Sequence, residues 1–233
     1  MTHPAERLQD TLALAWPPVA IAFRLRAPAR VPRIDTAAAS GCTYWKLAAQ
    51  GHVFYTEAAD HHNCPIGAHT HGIDLPLERQ AELEDLITTM VDLQYLREEE
   101  IEAIPRRTTA FGVAIYAAWA VAPCDPDVIL VRGNAKQLMV LSEAAHAAGI
   151  GDLREIMGRP TCAMIPATMQ HQRLTVSLGC IGNRVYNDLE NDELYAAIPA
   201  ERIDAVLEQL TTIAAANLKL EAFHRERMAS LSH

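Results

Sequence analysis

The chain has 233 residues, of which half are hydrophobic and 21% charged, with 29 acidic and 20 basic side chains and a net charge of −9. A chain of this length buries roughly 70% of its unfolded surface, which excludes a fold that needs disulfides or metals merely to hold a core together. The acidic balance, without a Lys/Arg cluster, excludes an electrostatic nucleic-acid binder, and the composition excludes wholesale disorder.

The first element is expected over residues 5–14, an amphipathic helix that stops at Trp16-Pro17-Pro18. The apolar run from Leu12 to Phe23 is too short and too interrupted to span a bilayer. Glu6 and Asp10 stand where a secretion signal carries basic residues, so the chain is expected to be cytoplasmic and its five cysteines reduced. Val19 to Leu25 reads as a strand, followed by a Pro-rich connector to Arg33 and an Ala-rich helix over 36–50 that ends at Gly51. His52 to Thr56 is a short strand. Residues 57–76, with two prolines and two glycines, read as a loop.

One long helix is predicted over 77–103, with Leu83, Leu86, Ile87, Met90, Leu93 and Leu96 on its apolar stripe. Strands are expected at 111–121 and 128–131. A helix over 134–148 takes Asn134 as N-cap and Gly149 as stop. A segment around Cys162, a strand at 174–178 and a long helix at 200–229 complete the chain. This alternation predicts an α/β or α+β fold, a mixed sheet with flanking helices in a single domain over 1–233.

The two halves echo each other. Cys42, then Cys64 in Cys-Pro-Ile-Gly, then Leu83 in a long helix are matched at nearly constant offset by Cys162, Cys180 in Gly-Cys-Ile-Gly, and Ile203. The echo points to an internal duplication over 15–105 and 125–220, two similar half-domains about a pseudo-twofold axis that would bring four sulfurs together.

Four cysteine thiolates can ligate an iron–sulfur cluster or zinc. No C-x-x-C is present, which argues against a zinc finger and leaves a cluster held between two halves. Cys42, Cys64, Cys162 and Cys180 are therefore the candidate ligands, with Gly67, Gly179 and Gly182 allowing backbone N–H groups near a cofactor. Arg184 is a candidate for substrate or cofactor charge. His61 and His62, beside Cys64, are candidate metal ligands and proton carriers. With His69 and His71 they form a histidine-rich stretch. A second reading makes this stretch a site for haem, another tetrapyrrole or a transition metal ion. A third leaves a metal-free fold with structural thiols. A small molecule or a redox protein is the expected partner, with no nucleic acid and no membrane. No Walker, GxGxxG or G-x-S-x-G pattern occurs.

The strand Pro18-Val19-Ala20-Ile21, the Cys64–Gly67 turn, PDVILVRGNAKQLM from Pro126, GRPTCAMIPA around Cys162, SLGCIGNR from Ser177 and DELYAAIP from Asp192 together resemble the family called domain of unknown function 169. The resemblance covers roughly residues 15–215. It implies a prokaryotic cytoplasmic protein, attaches no settled activity, and directs attention to Cys42, Cys64, Cys162 and Cys180; Cys124 lies outside its motifs.

Overall fold

The computed structural model describes residues 2–151, 156–157 and 159–231. Gly158 of the GRPTCAMIPA run lies outside them. The chain runs through α1 (Pro4–Leu12), β1 (Val19–Arg24), α2 (Thr43–Ala49), β2 (Phe54–Thr56), α3 (Pro65–His71), α4 (Leu77–Asp92), α5 (Glu98–Ile101) and β3 (Val113–Ala118). It continues through β4 (Val128–Asn134), α6 (Ala135–Ala147), β5 (Ile156–Met157), α7 (Met164–His171), β6 (Thr175–Ser177), α8 (Ile181–Asn187), β7 (Glu193–Pro199) and α9 (Ile203–Leu231). The fold is mixed α/β, as expected. The described strands form one sheet in the order β2-β3-β1-β4-β7-β6-β5, antiparallel except for the edge pair β5–β6.

Period-two alternation sets the two faces. Val19, Ile21 and Phe23 of β1, Val128 and Leu130 of β4, and Tyr195 and Ala197 of β7 point to one face, where α2 and α7 pack through Tyr44, Trp45, Met164 and Ile165. Ala20, Ile129, Val131, Ala196 and Ile198 point to the other, under α1, α6 and α9. Tyr44 and Trp45 are fully buried, and the Tyr44 hydroxyl donates to the Asp60 carbonyl at 2.6 Å. Burial of side chains this large stabilises the α2 layer by about 2–3 kcal/mol each.

About the central β1–β4 pair the order is matched: β2-β3-β1 on one side, β4-β7-β6 on the other. On each side two cysteine-bearing helix starts bracket the outer strand, Cys42 and Cys64 around β2, Cys162 and Cys180 around β6. The Leu83–Ile203 part of the echo joins unlike places, because α4 precedes β3 whereas α9 follows β7.

Several local expectations change. The helix over 36–50 is confined to Thr43–Ala49. The loop over 57–76 contains a 3-10 turn at Ala58–His61 and the helix α3, which has Pro65 in its first turn and Gly72 at φ +72° just past its end. That is the Pro-first, Gly-last pattern of a short helix. The single helix over 77–103 is α4 and α5, separated at Gln94, whose φ of +55° ends the helical path. The α6 cap is as expected: Asn134 accepts the Gln137 N–H at 3.0 Å and Gln137 accepts the Asn134 N–H at 2.8 Å. Such a reciprocal cap contributes about 1 kcal/mol. α7, α8 and β7 are elements that periodicity did not separate. No helix among the described residues is long and apolar enough to cross a membrane.

Candidate functional site

The four motif cysteines stand at or just before helix starts. Cys42 precedes α2, Cys64 precedes α3, Cys180 precedes α8, and Cys162 lies in the 3-10 turn Thr161–Ala163 that leads into α7. α2 and α7 pack on the same sheet face, α8 packs against α2, and α3 packs against the Thr161–Ala163 turn, so these starts converge. Cys42, Cys64, Cys162 and Cys180 line one cavity of about 370 Å³. The Ser40 hydroxyl lies 3.0 Å from the Cys42 sulfur and 3.7 Å from the Cys64 sulfur. In the other half, the Cys180 N–H donates to the Thr161 hydroxyl at 2.6 Å, tying the two cysteine segments together. The Asn183 N–H donates to the Cys180 sulfur at 3.4 Å.

Burial keeps the Cys42 and Cys162 thiols protonated when nothing is bound. It pushes the Cys42 thiol up to about 11, with the neighbouring Cys64 and Cys180 adding to the rise, and the Ser40 hydroxyl and the nearby Asn183 amide opposing it. Burial likewise raises Cys162, again reinforced by Cys64, while Thr70 opposes it. All five cysteines are free. Cys124 is elsewhere, packed against Ala22, Val113 and Ile115. Among the described residues, no three His, Cys, Asp or Glu side chains are grouped so as to hold a single metal ion.

The histidines divide. His69 and His71 sit on the helix α3, not in a loop, and both border the cavity. His71 donates from Nδ1 to the Gly67 carbonyl at 2.7 Å, and its Nε2 is buried without a partner. His61 is beneath it, 1% exposed, bonded through Nε2 to the Thr56 hydroxyl at 2.8 Å and stacked on His71 at 5.7 Å between ring centroids. Neither His61 nor His62 borders the cavity. Burial lowers the His61 pKa to about 3 and that of His71 to about 4, so both rings are neutral at pH 7.

Arg184 also stays out of the cavity: its guanidinium donates to the carbonyls of Leu178 at 2.7 Å and Glu190 at 2.6 Å, closing the α8 segment on itself. Gly67 and Gly182 border the cavity as helix residues, whereas Gly179 is a turn residue at φ +80° behind it. At Gly67 a Cβ would meet the Cys64 sulfur at 2.8 Å. On helix propensity alone Gly67→Ala would add about 1 kcal/mol; here the added methyl displaces that sulfur. The expected result is near-unchanged thermal stability with Cys64 moved away from Ser40, read as faster alkylation of Cys64 in the intact protein. Unchanged Cys64 reactivity would show that its position is not set by this contact.

Sequence reasoning missed Ser40, Thr70, Thr161 and Asn183, although each lies within six residues of a motif cysteine or on α3 beside one. An apolar stripe of this kind would ordinarily be buried against the sheet. In the structure α4 has no buried residue, and Leu83, Leu86, Ile87 and Met90 border the cavity opposite the cysteines.

No curated protein and no solved structure matches the chain. The family called domain of unknown function 169, described as uncharacterised ArCR, matches residues 7–209, from within α1 to within α9. That span holds the whole described sheet and all four cavity cysteines, and by it the chain belongs to the domain of unknown function 169 family.

Proposed function

We propose that the chain holds an iron–sulfur cluster in this cavity, with Cys42, Cys64, Cys162 and Cys180 as ligands. The observation that carries the reading is the arrival of four sulfurs, two from each side of the central strand pair, at one cavity. A single zinc draws its donors together around one centre at about 2.3 Å. In a four-iron cluster each cysteine binds a different iron, so the ligand sulfurs are spread more widely.

Ser40 and the Asn183 N–H already hydrogen-bond to the sulfurs of Cys42, Cys64 and Cys180. Donors of this kind set the potential of a cluster. The cluster would supply one-electron transfer or, with one iron left open, Lewis acidity. This chain's residues would orient it and exclude water. The buried thiols must lose their protons for ligation, so loading releases protons and improves as pH rises.

The test is anaerobic reconstitution of the full chain with ferrous iron and sulfide, read by visible absorption and by iron and acid-labile sulfide per chain. Ser in place of any of Cys42, Cys64, Cys162 or Cys180 is expected to lower iron content about tenfold or more, and Cys124→Ser to leave it unchanged. A colourless, iron-free chain after reconstitution overturns the reading. So does haem found in the chain as isolated, before reconstitution and without labile sulfide, which would move the site to His69 and His71.

A further inference from the structure

We infer that the part of the cavity beyond the cysteines is a chamber for an uncharged, largely apolar small molecule that carries one hydrogen-bonding head group. This rests on the cavity being the working site, as in the cluster reading, but does not need the cluster itself.

The cavity volume of about 370 Å³ falls within the range of small-molecule sites. Its far wall is the α4 stripe of Leu83, Leu86, Ile87 and Met90, spaced as neighbours on one helical face. A helix with an apolar stripe ordinarily buries that stripe against protein. α4 buries none of its residues, and Leu86 is 39% exposed. Leu83 packs in part against the Ala68, Ile73 and Leu75 cluster, and the stripe otherwise borders the cavity.

The floor carries polar groups that lack partners. Asn183 is 1% exposed and borders the cavity, yet neither its carboxamide oxygen nor its nitrogen has a hydrogen-bond partner of good geometry, although the amide lies beside Cys42. A buried amide left so costs about 1–3 kcal/mol, which a bound head group would recover. The His71 ring adds an acceptor. Its Nδ1 proton is committed to the Gly67 carbonyl, so Nε2 presents a buried, unshared lone pair. Together they suit a hydroxyl or primary amide, able both to donate and to accept.

Charge argues for neutrality. Among the described residues no Asp, Glu or Lys borders the cavity. Arg159, at the rim, is already stacked on Tyr95 at 4.4 Å and faces Glu100 at 3.7 Å. A ligand bearing full charge would lose its hydration without an uncommitted counter-charge.

The experiment is isothermal titration of the full chain, metal-free and after reconstitution, with p-butylphenol, butylbenzene and p-butylbenzoate. Saturable binding of p-butylphenol is expected, about tenfold tighter than either companion. Asn183→Leu is expected to erase the preference for the phenol while butylbenzene still binds. Met90→Glu, on a helix with no buried residue, is expected to abolish binding of all three without loss of the fold, as circular dichroism checks. Absence of saturable binding by all three probes overturns the inference. Tightest binding by the benzoate does so too, as does an unchanged phenol preference in Asn183→Leu. Because the metal-free chain is titrated separately, failure to load iron would sink the cluster reading alone, and failure to bind probes would sink this one alone.

Discussion

Acidification from about pH 6.5 to about pH 4.5 is expected to remove about 5 kcal/mol of folding stability, most of it through two histidines. His61 and His71 are 1% and 3% exposed and stacked on each other. Burial is the main cause of their depressed pKa values, about 3 and about 4; for His61 the nearby His71 and His62 add to it, and for His71 the Arg107 cation does, against the opposing bond to the Gly67 carbonyl. Both values lie below the unfolded value of about 6.5. The folded state therefore keeps both rings neutral while the unfolded chain takes up protons. Stability from this source is complete above pH ~6.5 and is lost progressively as pH falls toward the folded values.

Urea unfolding followed across this window measures it. The steep loss should be roughly halved in His71→Asn, whose amide can still donate to the Gly67 carbonyl. A flat profile between the two pH values would mean that these rings are not held neutral in the fold. The histidines that look in sequence like exposed ligands thus include two that act first as buried structural groups. The consequence for the site is direct, since His71 borders the cavity and α3 carries Cys64 at its start.

The second large effect is expected at Arg132. This β4 side chain is 9% exposed and forms an ion pair with Glu193 on the neighbouring strand β7, with Nε to the carboxylate at 2.9 Å. It also donates to the carbonyls of Asn187 at 3.1 Å and Asp188 at 2.5 Å, at the end of α8, and lies over the Trp16 ring at 4.9 Å. Arg132→Met removes the cation and leaves a half-buried carboxylate and two carbonyls without their donor. Breaking a buried pair from one side costs about 3–5 kcal/mol. The loss should fall on the α8 segment that carries Cys180 and Asn183. Chemical denaturation gives the magnitude, and hydrogen exchange at residues 181–190 shows where it falls. A change below about 1 kcal/mol would mean that the pair contributes no more than a surface contact.

Much of the fold was legible in the sequence, for reasons visible in single elements. β1 and β4 are β-branched and apolar runs, and they became the central pair of the sheet. Asn134 and Gln137 spell a reciprocal cap three residues apart, and α6 begins there. α3 was legible but unread: Pro65 in its first turn and Gly72 after its end mark a short helix, and the four histidines at 61, 62, 69 and 71 drew attention to a loop instead. α4 was read with the correct stripe and the wrong neighbour. Periodicity reports that a face is apolar; it does not say whether that face meets a core or a cavity.

By itself the sequence determined the α/β class, the principal strands and helices, the family and the four cysteines worth following. Those depend on local spacing and residue type, which the linear order carries in full. Only the tertiary structure decided that four sulfurs meet at one cavity, that His61 and Arg184 turn away from it, and that Asn183 and the α4 stripe complete its walls. Those outcomes depend on which strands pair and which face each helix covers. Contacts of that kind join residues as distant as Cys42 and Cys180, and the free energy that selects them belongs to the packed whole rather than to any segment of the chain.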